Sequence, residues 1–556
     1  MLVEEQNKEV GRSKCRRESR RIEHETWLNH KNRTASAPAN SVLTSNRYFI
    51  ARELGEPLKM RKQKTALEAG ALIDDGKKWK AIVWKRKWHQ VRRLQVRIAK
   101  AVKEKRWNKV KVLQYILTRS FYAKLLAVKR VTSNKGKKTP GIDGVLWQGA
   151  RAKWRAVLSL RKRGYRPQPL KRIYIPKKNG KKRPLSIPTM NDRAMQALYK
   201  LALAPIAETL ADRNSYGFRE GRSCADAVAA GFNALSKPNS ATWILEGDIK
   251  GCFDNISHEW MVKNIPMDKV ILTKWLRAGY VEEGITYPSR KGTPQGGIIS
   301  PIFSNMVLDG LEDAVYNAVP RRSRVNFIRY ADDFIITGKS KRILEENIKP
   351  VVEEFLRERG LELSPEKTVI TYIKNGFTFL GQTFRKHGRK LHITPSTKGV
   401  LALVRKVGTI IRNHVSAPMP ILIKKLNQTL SGWANYHRHV VASEAFSRID
   451  TYVFEQLWRM VRRRHQNKSK GWLIRKYWTA TGKKHRFAVR HKTGNKSKIY
   501  SVLKTGAIGI RRYVKIKADA NPYLPEYAAY FWQRKNNKES KLLPAMSARE
   551  YRAMAA

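Results

Sequence analysis

The sequence predicts an α+β protein, and three patterns carry that expectation. Val325 to Tyr330 and Phe334 to Thr337 are apolar runs of strand length, so they read as two strands joined by Ala331-Asp332-Asp333. Leu170 to Ile175 and Lys182 to Ile187 flank Asn179-Gly180, a dipeptide suited to a two-residue hairpin turn because both positions tolerate positive φ. Elsewhere apolar residues recur at helical spacing. The longest such stretches run from Trp84 through Val91, Ile98 and Val102 to Leu117, and from Leu426, Leu430 and Trp433 through Ile449, Val453 and Leu457 to Val461.

The strand ends carry the chemistry. The pair Asp332-Asp333 sits at a hairpin tip, and the run Trp243-Ile244-Leu245-Glu246-Gly247-Asp248 delivers a third carboxylate to another strand end, where Gly251 breaks the chain. An isolated Asp-Asp is most often a polar turn. Flanking strands and a matching strand end favour a metal site, since three short, hard anionic side chains suit Mg²⁺ while leaving positions open for water and phosphate. Two such ions about 3.5 to 4 Å apart can serve phosphoryl transfer.

Composition narrows the partner. The chain has 556 residues, 114 Lys plus Arg against 44 Asp plus Glu, a net charge of +70 and a pI near 10.6. So large an excess repels itself unless a polyanion neutralises it, and a long RNA is the natural one. A hydrophobic content of 42% is enough for several cores. No apolar run approaches the roughly 20 residues of a spanning helix, so no membrane partner is expected. The start Met1-Leu2-Val3-Glu4-Glu5 lacks the features of a secretory signal. Cys15, Cys224 and Cys252 have no paired spacing, which excludes a disulfide framework or zinc cluster and suits a reducing, cytoplasmic setting.

Several ordered motifs now join the carboxylates: Thr139-Pro140-Gly141-Ile142-Asp143-Gly144, Arg183-Pro184-Leu185-Ser186-Ile187-Pro188, Ser215-Tyr216-Gly217-Phe218-Arg219, Pro294-Gln295-Gly296-Gly297, Ser300-Pro301, Tyr330-Ala331-Asp332-Asp333, Leu363-Ser364-Pro365-Glu366-Lys367-Thr368 and Phe379-Leu380-Gly381. From about residue 79 to 536 the chain resembles reverse transcriptases encoded within group II introns. The resemblance implies a right-hand polymerase of fingers, palm and thumb, with a helical maturase domain and a basic C-terminal DNA-binding region. The expected division is 1-78, a basic and poorly ordered N-terminal segment; 79-130, an N-terminal extension; 131-241, fingers; 242-394, palm with interleaved fingers elements; 395-470, thumb and maturase domain; 471-536, DNA-binding region; and 537-556, a tail.

Site roles follow from the same resemblance. Asp248, Asp332 and Asp333 would be the catalytic carboxylates holding two Mg²⁺, with Ile249 adding its backbone carbonyl. Lys177 and Arg183 would lie over the triphosphate of an incoming dNTP, Arg183 through a bidentate guanidinium. Phe253 would stand beneath the sugar as a gate against a 2′-hydroxyl, unless it is a core phenylalanine, and Gln295 would contact nucleotide or template. Lys367 either assists pyrophosphate departure or is an exposed loop lysine. Phe379, Leu380 and Gly381 would form the primer grip. Asp254 reads as a structural anchor of the helix beginning near Ser257. Ile348, Val352, Phe355 and Leu356 form a helical stripe, with a start or kink at Pro350 and a stop at Gly360.

The run Ser431-Gly432-Trp433-Ala434-Asn435-Tyr436 and the later arginines resemble the maturase domain, which binds intron RNA. Trp433, Tyr436, Arg438, Arg459, Arg462, Arg463 and Arg464 are its candidate RNA contacts, since aromatic and Arg side chains suit stacking on unpaired bases. His437 and His439 lack further metal-ligating neighbours and read as RNA-facing or capping residues. Arg511, Arg512, Lys515 and Lys517 are candidate DNA contacts. In many relatives an endonuclease with cysteine pairs and histidines comes next. Residues 537-556 carry neither, so target-strand cleavage by this polypeptide is not expected and priming from an existing DNA end is. The implied function is RNA-directed DNA polymerisation together with intron-RNA binding that promotes splicing and insertion into target DNA. The implied partners are the intron RNA, an RNA template, a DNA primer and dNTPs. A splicing cofactor without polymerase activity and a defence or retron-type enzyme are the competing readings.

Overall fold

The computed structural model describes residues 75–176, 180, 182–478, 486–493 and 496–536. Expectations for residues 1–74, Lys177, the Asn179 turn position and 537–556 lie outside them.

The architecture is mixed α and β, as the strand and helix patterns predict. Helices α1 (Trp84–Lys103), α2 (Trp107–Arg119) and α3 (Phe121–Ser133) pack their apolar stripes with α4 (Met190–Leu210) in one core. That core includes Ile98, Leu117, Val128 and Leu203, all fully buried. Strands β1 (Leu170–Pro176) and β2 (Lys182–Ile187) pair antiparallel from Lys171↔Ile187 to Pro176↔Lys182. The two strands lie where the hairpin pattern predicts, β1 reaching one residue further, to Pro176, and Gly180 between them stands at φ +79°, the positive φ expected of that turn position. β1 continues in parallel to β4 (Tyr280–Glu282), which pairs with β5 (Ile285–Tyr287), so a segment from the middle of the chain completes this sheet.

The second four-stranded sheet has the order β6-β7-β3-β8, with β3 (Trp243–Asp248), β6 (Asn326–Tyr330), β7 (Asp333–Gly338) and β8 (Val369–Tyr372) all antiparallel to their neighbours. Helix α5 (Cys224–Leu235) packs against β6, although the expected boundaries place it with the preceding domain. A π-helical turn, Ile343–Ile348, runs into α6 (Lys349–Arg357), with Pro350 in its first turn; Gly360 follows at φ +72°. The proline cannot bond back to a carbonyl four residues earlier, and the irregular turn accommodates this.

Strands β9 (Phe377–Phe379), β10 (Gln382–His387) and β11 (Lys390–Pro395) form a meander leading into three helices: α7 (Thr397–Arg412), α8 (Met419–His437) and α9 (Ser443–Arg464). Leu422, Leu426 and Leu430 of α8 meet Ile449, Val453 and Leu457 of α9 in a separate core, as the two stripes predict. Helix α10 (Lys470–Trp478) and the hairpin β12 (Ala488–Thr493) with β13 (Lys496–Ser501) close that core. The hairpin and α7 were not individually legible. From Ile508 to α11 (Ala528–Asn536) the chain runs mostly without regular structure back to the start of α5.

Candidate active site

The palm-like sheet sets three carboxylates side by side. Tyr330 pairs with Asp333, leaving Ala331-Asp332 as the two-residue turn, so Asp333 is the first residue of β7 rather than part of the connection. Asp248, at the end of β3, is the register partner of Asp333. Ala331 adopts φ +60°, as such a tight turn requires but alanine disfavours. The segment of residues 215–217 braces it: Tyr216 N–H donates to the Arg329 carbonyl at 2.9 Å. Gly217 lies so close that a Cβ there would sit 2.3 Å from the Ala331 nitrogen. Gly247 serves similarly beneath β7, where a Cβ would meet the Phe334 ring at 2.2 Å.

Burial pushes the Asp333 carboxyl up to about 6, helped by the negative charges of Asp332 and Asp248 and opposed by Lys367. Burial likewise raises Asp332, with Asp248 adding to it and Arg183 and Lys367 opposing. Lys367 Nζ donates to Asp248 Oδ2 at 2.6 Å, a contact that raises the lysine's own pKa. Lys367 is thus an exposed turn lysine, as one reading has it, and its ammonium reaches the carboxylates. Among the described residues no three His, Cys, Asp or Glu side chains are already drawn into ligand geometry. The donor set nevertheless fits a divalent cation: Asp332 and Asp333 are each raised by neighbouring negative charge, and a shared cation relieves that repulsion. The Asp248 carbonyl is taken by the Ser364 amide at 2.8 Å, while Ile249 bridges to Leu363.

The remaining predicted residues divide. Arg183 is exposed on β2, opposite Ile175, and near enough to act on Asp332. Phe253 is half-buried and meets the exposed Phe218 edge-on at 6.4 Å, so it is not a core phenylalanine. Gln295 donates from Nε2 to Asp254 at 3.0 Å, and its carbonyl accepts from Ser186 N–H at 2.8 Å. Asp254 thus orients Gln295, and Ser257 caps the following helix by accepting from Trp260 N–H. Leu380 and Gly381 form a two-residue turn between the paired Phe379 and Gln382, at φ +50° and +74°.

Among the candidate RNA contacts, Arg459, Arg462 and Arg463 are exposed on α9, Arg459 facing Glu455 at 3.9 Å. Arg464 is exposed but donates to the carbonyls of Val415 and Ala417. Trp433 is half-buried and packs against His437 and Phe446 between two cores. His437 is buried rather than RNA-facing, and burial pushes its imidazole down to about 4. His439 is half-buried and also lowered by burial. His437 is covered because the last turn of α8 docks on β10, a contact that local sequence does not announce, while His439 bonds the Tyr436 backbone in the last turn of α8, as its capping alternative has it. Tyr436, Arg438, Arg511 and Arg512 line a cleft of about 1730 Å³ that also reaches Tyr330. Lys515 is half-buried, with its pKa lowered by burial, and Lys517 is exposed beside the Tyr530 ring.

Sequence reading missed the buried ion network behind the hairpin. Arg329 is fully buried in β6 and reaches Asp309 at 2.5 Å and Asp212 at 3.5 Å, while Arg219 and Arg222 share Glu208. Burial pushes the Asp309 carboxyl up to about 7, against the pull of Arg329 and with the push of Asp212. The one local signal was an arginine inside an otherwise apolar strand.

A palm sheet carrying paired carboxylates at its strand ends, faced by a basic hairpin, defines a right-hand polymerase. Family models match three segments: "Reverse transcriptase (RNA-dependent DNA polymerase)" over residues 175–384, "N-terminal domain of reverse transcriptase" over 79–160, and "Group II intron, maturase-specific domain" over 400–478. The chain is 32% identical to the group II intron-encoded protein LtrA of Lactococcus lactis, the match covering 50% of this chain and 56% of that one. It is 31% identical to protein YkfC of Escherichia coli K12, covering 48% of this chain and 81% of that one. The chain belongs to the group II intron-encoded reverse transcriptase family, and its match spans little more than half the length of LtrA. A solved telomerase from Candida albicans superimposes with a TM-score of 0.33 at 14% identity, over 53% of this chain and 60% of that one, too low a likeness to carry an argument.

Proposed function

We propose that this chain is an RNA-directed DNA polymerase that also binds its intron RNA, promotes splicing and supports insertion into DNA. The observation that carries the reading is the register of the palm sheet, which sets Asp248 beside Asp333 with Asp332 in the adjoining turn. In this reading Asp248, Asp332, Asp333 and the Ile249 carbonyl hold two Mg²⁺, which supply Lewis-acid stabilisation of the oxygens in phosphoryl transfer.

The chain's own residues do the rest. Arg183, with Lys177, binds the triphosphate of the dNTP; Phe253 lies under its sugar and excludes a 2′-hydroxyl. Gln295, oriented by Asp254, contacts the nucleotide or template. Lys367 leaves Asp248 when substrate binds and neutralises the departing pyrophosphate. The Phe379-Leu380-Gly381 turn holds the primer, whose 3′-hydroxyl attacks the α-phosphate opposite an RNA template. Arg459, Arg462 and Arg463 contact intron RNA. Arg511, Arg512 and Lys517 contact target DNA. Among the described residues no helix is long and apolar enough to cross a membrane, and we assign the protein to cytoplasmic ribonucleoprotein particles. The expected domain boundaries are retained, with α5 moved to the palm.

The test is Mg²⁺-dependent dNTP extension of a DNA primer on an RNA template, wild type beside Asp332→Ala/Asp333→Ala, with splicing of the flanking intron assayed for both. Extension lost and splicing kept supports two separable functions. A wild type that does not extend defeats the polymerase reading and leaves the binding role.

A further inference from the structure

Two consecutive residues at the end of α8, inside the maturase-specific segment, hold the turn that joins β9 to β10. The Tyr436 hydroxyl donates to the Leu380 carbonyl at 2.8 Å. His437 Nδ1 lies 3.1 Å from Oε1 of Gln382, an oxygen that only accepts, so the ring donates there. On the other side the Gly381 carbonyl accepts from Ser396 N–H at 3.0 Å. Leu380 stands at φ +50°, a region that a leucine rarely adopts, so the turn keeps its shape through these outside contacts.

The same phenol lies beside Tyr330, the residue that precedes the hairpin turn. Tyr436, Tyr330 and Cys224 gather on one wall of the cleft, with the Cys224 thiol interacting with both phenols. Tyr330 pairs with Asp333 and closes the hairpin whose turn is Ala331-Asp332. Tyr436 thus stands between the Leu380-Gly381 turn and Tyr330 of the carboxylate hairpin: its hydrogen bond ties a helix of the maturase-specific segment to the turn, and the shared Cys224 thiol links it to Tyr330. Its neighbour His437 is buried and neutral near pH 7, so this junction carries no charge of its own there.

We infer that Tyr436 and His437 are positioning residues of the polymerase site: they fix the Leu380-Gly381 turn against the Tyr330–Asp333 hairpin and so set where the primer 3′ end lies relative to the carboxylates. The inference rests on the polymerase reading, and it gives Tyr436 a role in extension in place of the RNA contact expected from sequence. It also makes the end of α8 part of the polymerase site, while the exposed arginines of α9 remain available to RNA.

Tyr436→Phe removes one hydroxyl and keeps the ring. In single-turnover extension at saturating dNTP, the rate constant is expected to fall about fivefold, the worth of one net hydrogen bond. The burst amplitude, the dNTP dissociation constant, the template-primer affinity and the intron-RNA affinity should stay at wild-type values. A merely structural role would lower the amplitude, the fraction of active enzyme, and leave the rate constant alone. An unchanged rate constant, a loss of amplitude only, or a loss of RNA affinity in its place overturns the inference. In each of those cases the wild type still extends the primer, so the polymerase reading stands. A wild type that extends nothing removes both.

Discussion

The carboxylate hairpin and the outer face of α9 hold their charges in opposite ways. At the hairpin, Asp248, Asp332 and Asp333 are brought together by strand register, the first two half-buried and Asp333 open at the rim, and forced to feel one another, so that Asp333 is pushed up to about 6. On α9, Arg459, Arg462 and Arg463 stand in solvent, apart from one long contact to Glu455. Buried charge depends on geometry, and a single substitution undoes it. Exposed charge acts by number, each residue contributing a little and salt screening all of it.

The sharpest break of that comparison is Asp332→Ala. Extension should fall at least about a thousandfold, since the donor set for the cation is lost, while RNA affinity measured by filter binding changes less than twofold. Equal loss of both would mean that the hairpin and the helices are one functional surface.

Next in size is Arg329→Met behind the hairpin. It strips the counter-charge from Asp212 and Asp309 and should cost about 3 to 5 kcal/mol in urea unfolding, because two buried carboxylates lose their partner. A cost below about 1 kcal/mol would show that the network does not brace β6.

The inner end of α8 behaves like the palm despite its basic surroundings. His437 has a folded pKa of about 4, below its ordinary value near 6.5, through burial first and the neighbouring His439 second. The unfolded chain therefore binds the proton more readily, and stability is retained above about pH 6.5 and lost as pH falls towards 4. The loss reaches on the order of 3 kcal/mol once both states are protonated. His437→Gln should flatten this part of the pH-stability curve; an unchanged curve would assign the slope to other groups.

The smallest effect belongs to the exposed face. Arg462→Ala/Arg463→Ala should weaken RNA binding about tenfold at 0.1 M salt and make the log–log salt slope shallower by about 1.5, as two phosphate contacts disappear. Unfolding should move by less than about 0.5 kcal/mol. Arg464→Ala sharpens the contrast within one turn of helix, since its guanidinium holds the carbonyls of Val415 and Ala417 and its loss should reach stability as well.

The legible features share a cause. Asp248, Asp332 and Asp333 were readable because each ends a short apolar strand, and alternation and length are local properties of the chain. The stripes of α8 and α9 were readable for the same reason. The β1–β2 pair was readable as well, because two β-rich runs flank a turn dipeptide. The contact of Asp254 with Gln295 was not legible because forty-one residues separate them. His437 looked like a surface group beside basic residues, yet β10 covers it; Trp433, the end of an apolar stripe, packs on α9 as the stripe implies.

By itself the sequence determined which strand ends carry carboxylates, which helices have apolar faces, and that the net charge requires a polyanion. Those follow from the order of residue types along a few turns or one strand. Only the tertiary structure decided that Asp333 faces Asp248, that Lys367 neutralises Asp248, that Arg329 is paired from two distant segments, and that Tyr436 reaches Leu380. Each of these joins residues far apart in the chain, and their meeting depends on register and packing that no local pattern encodes.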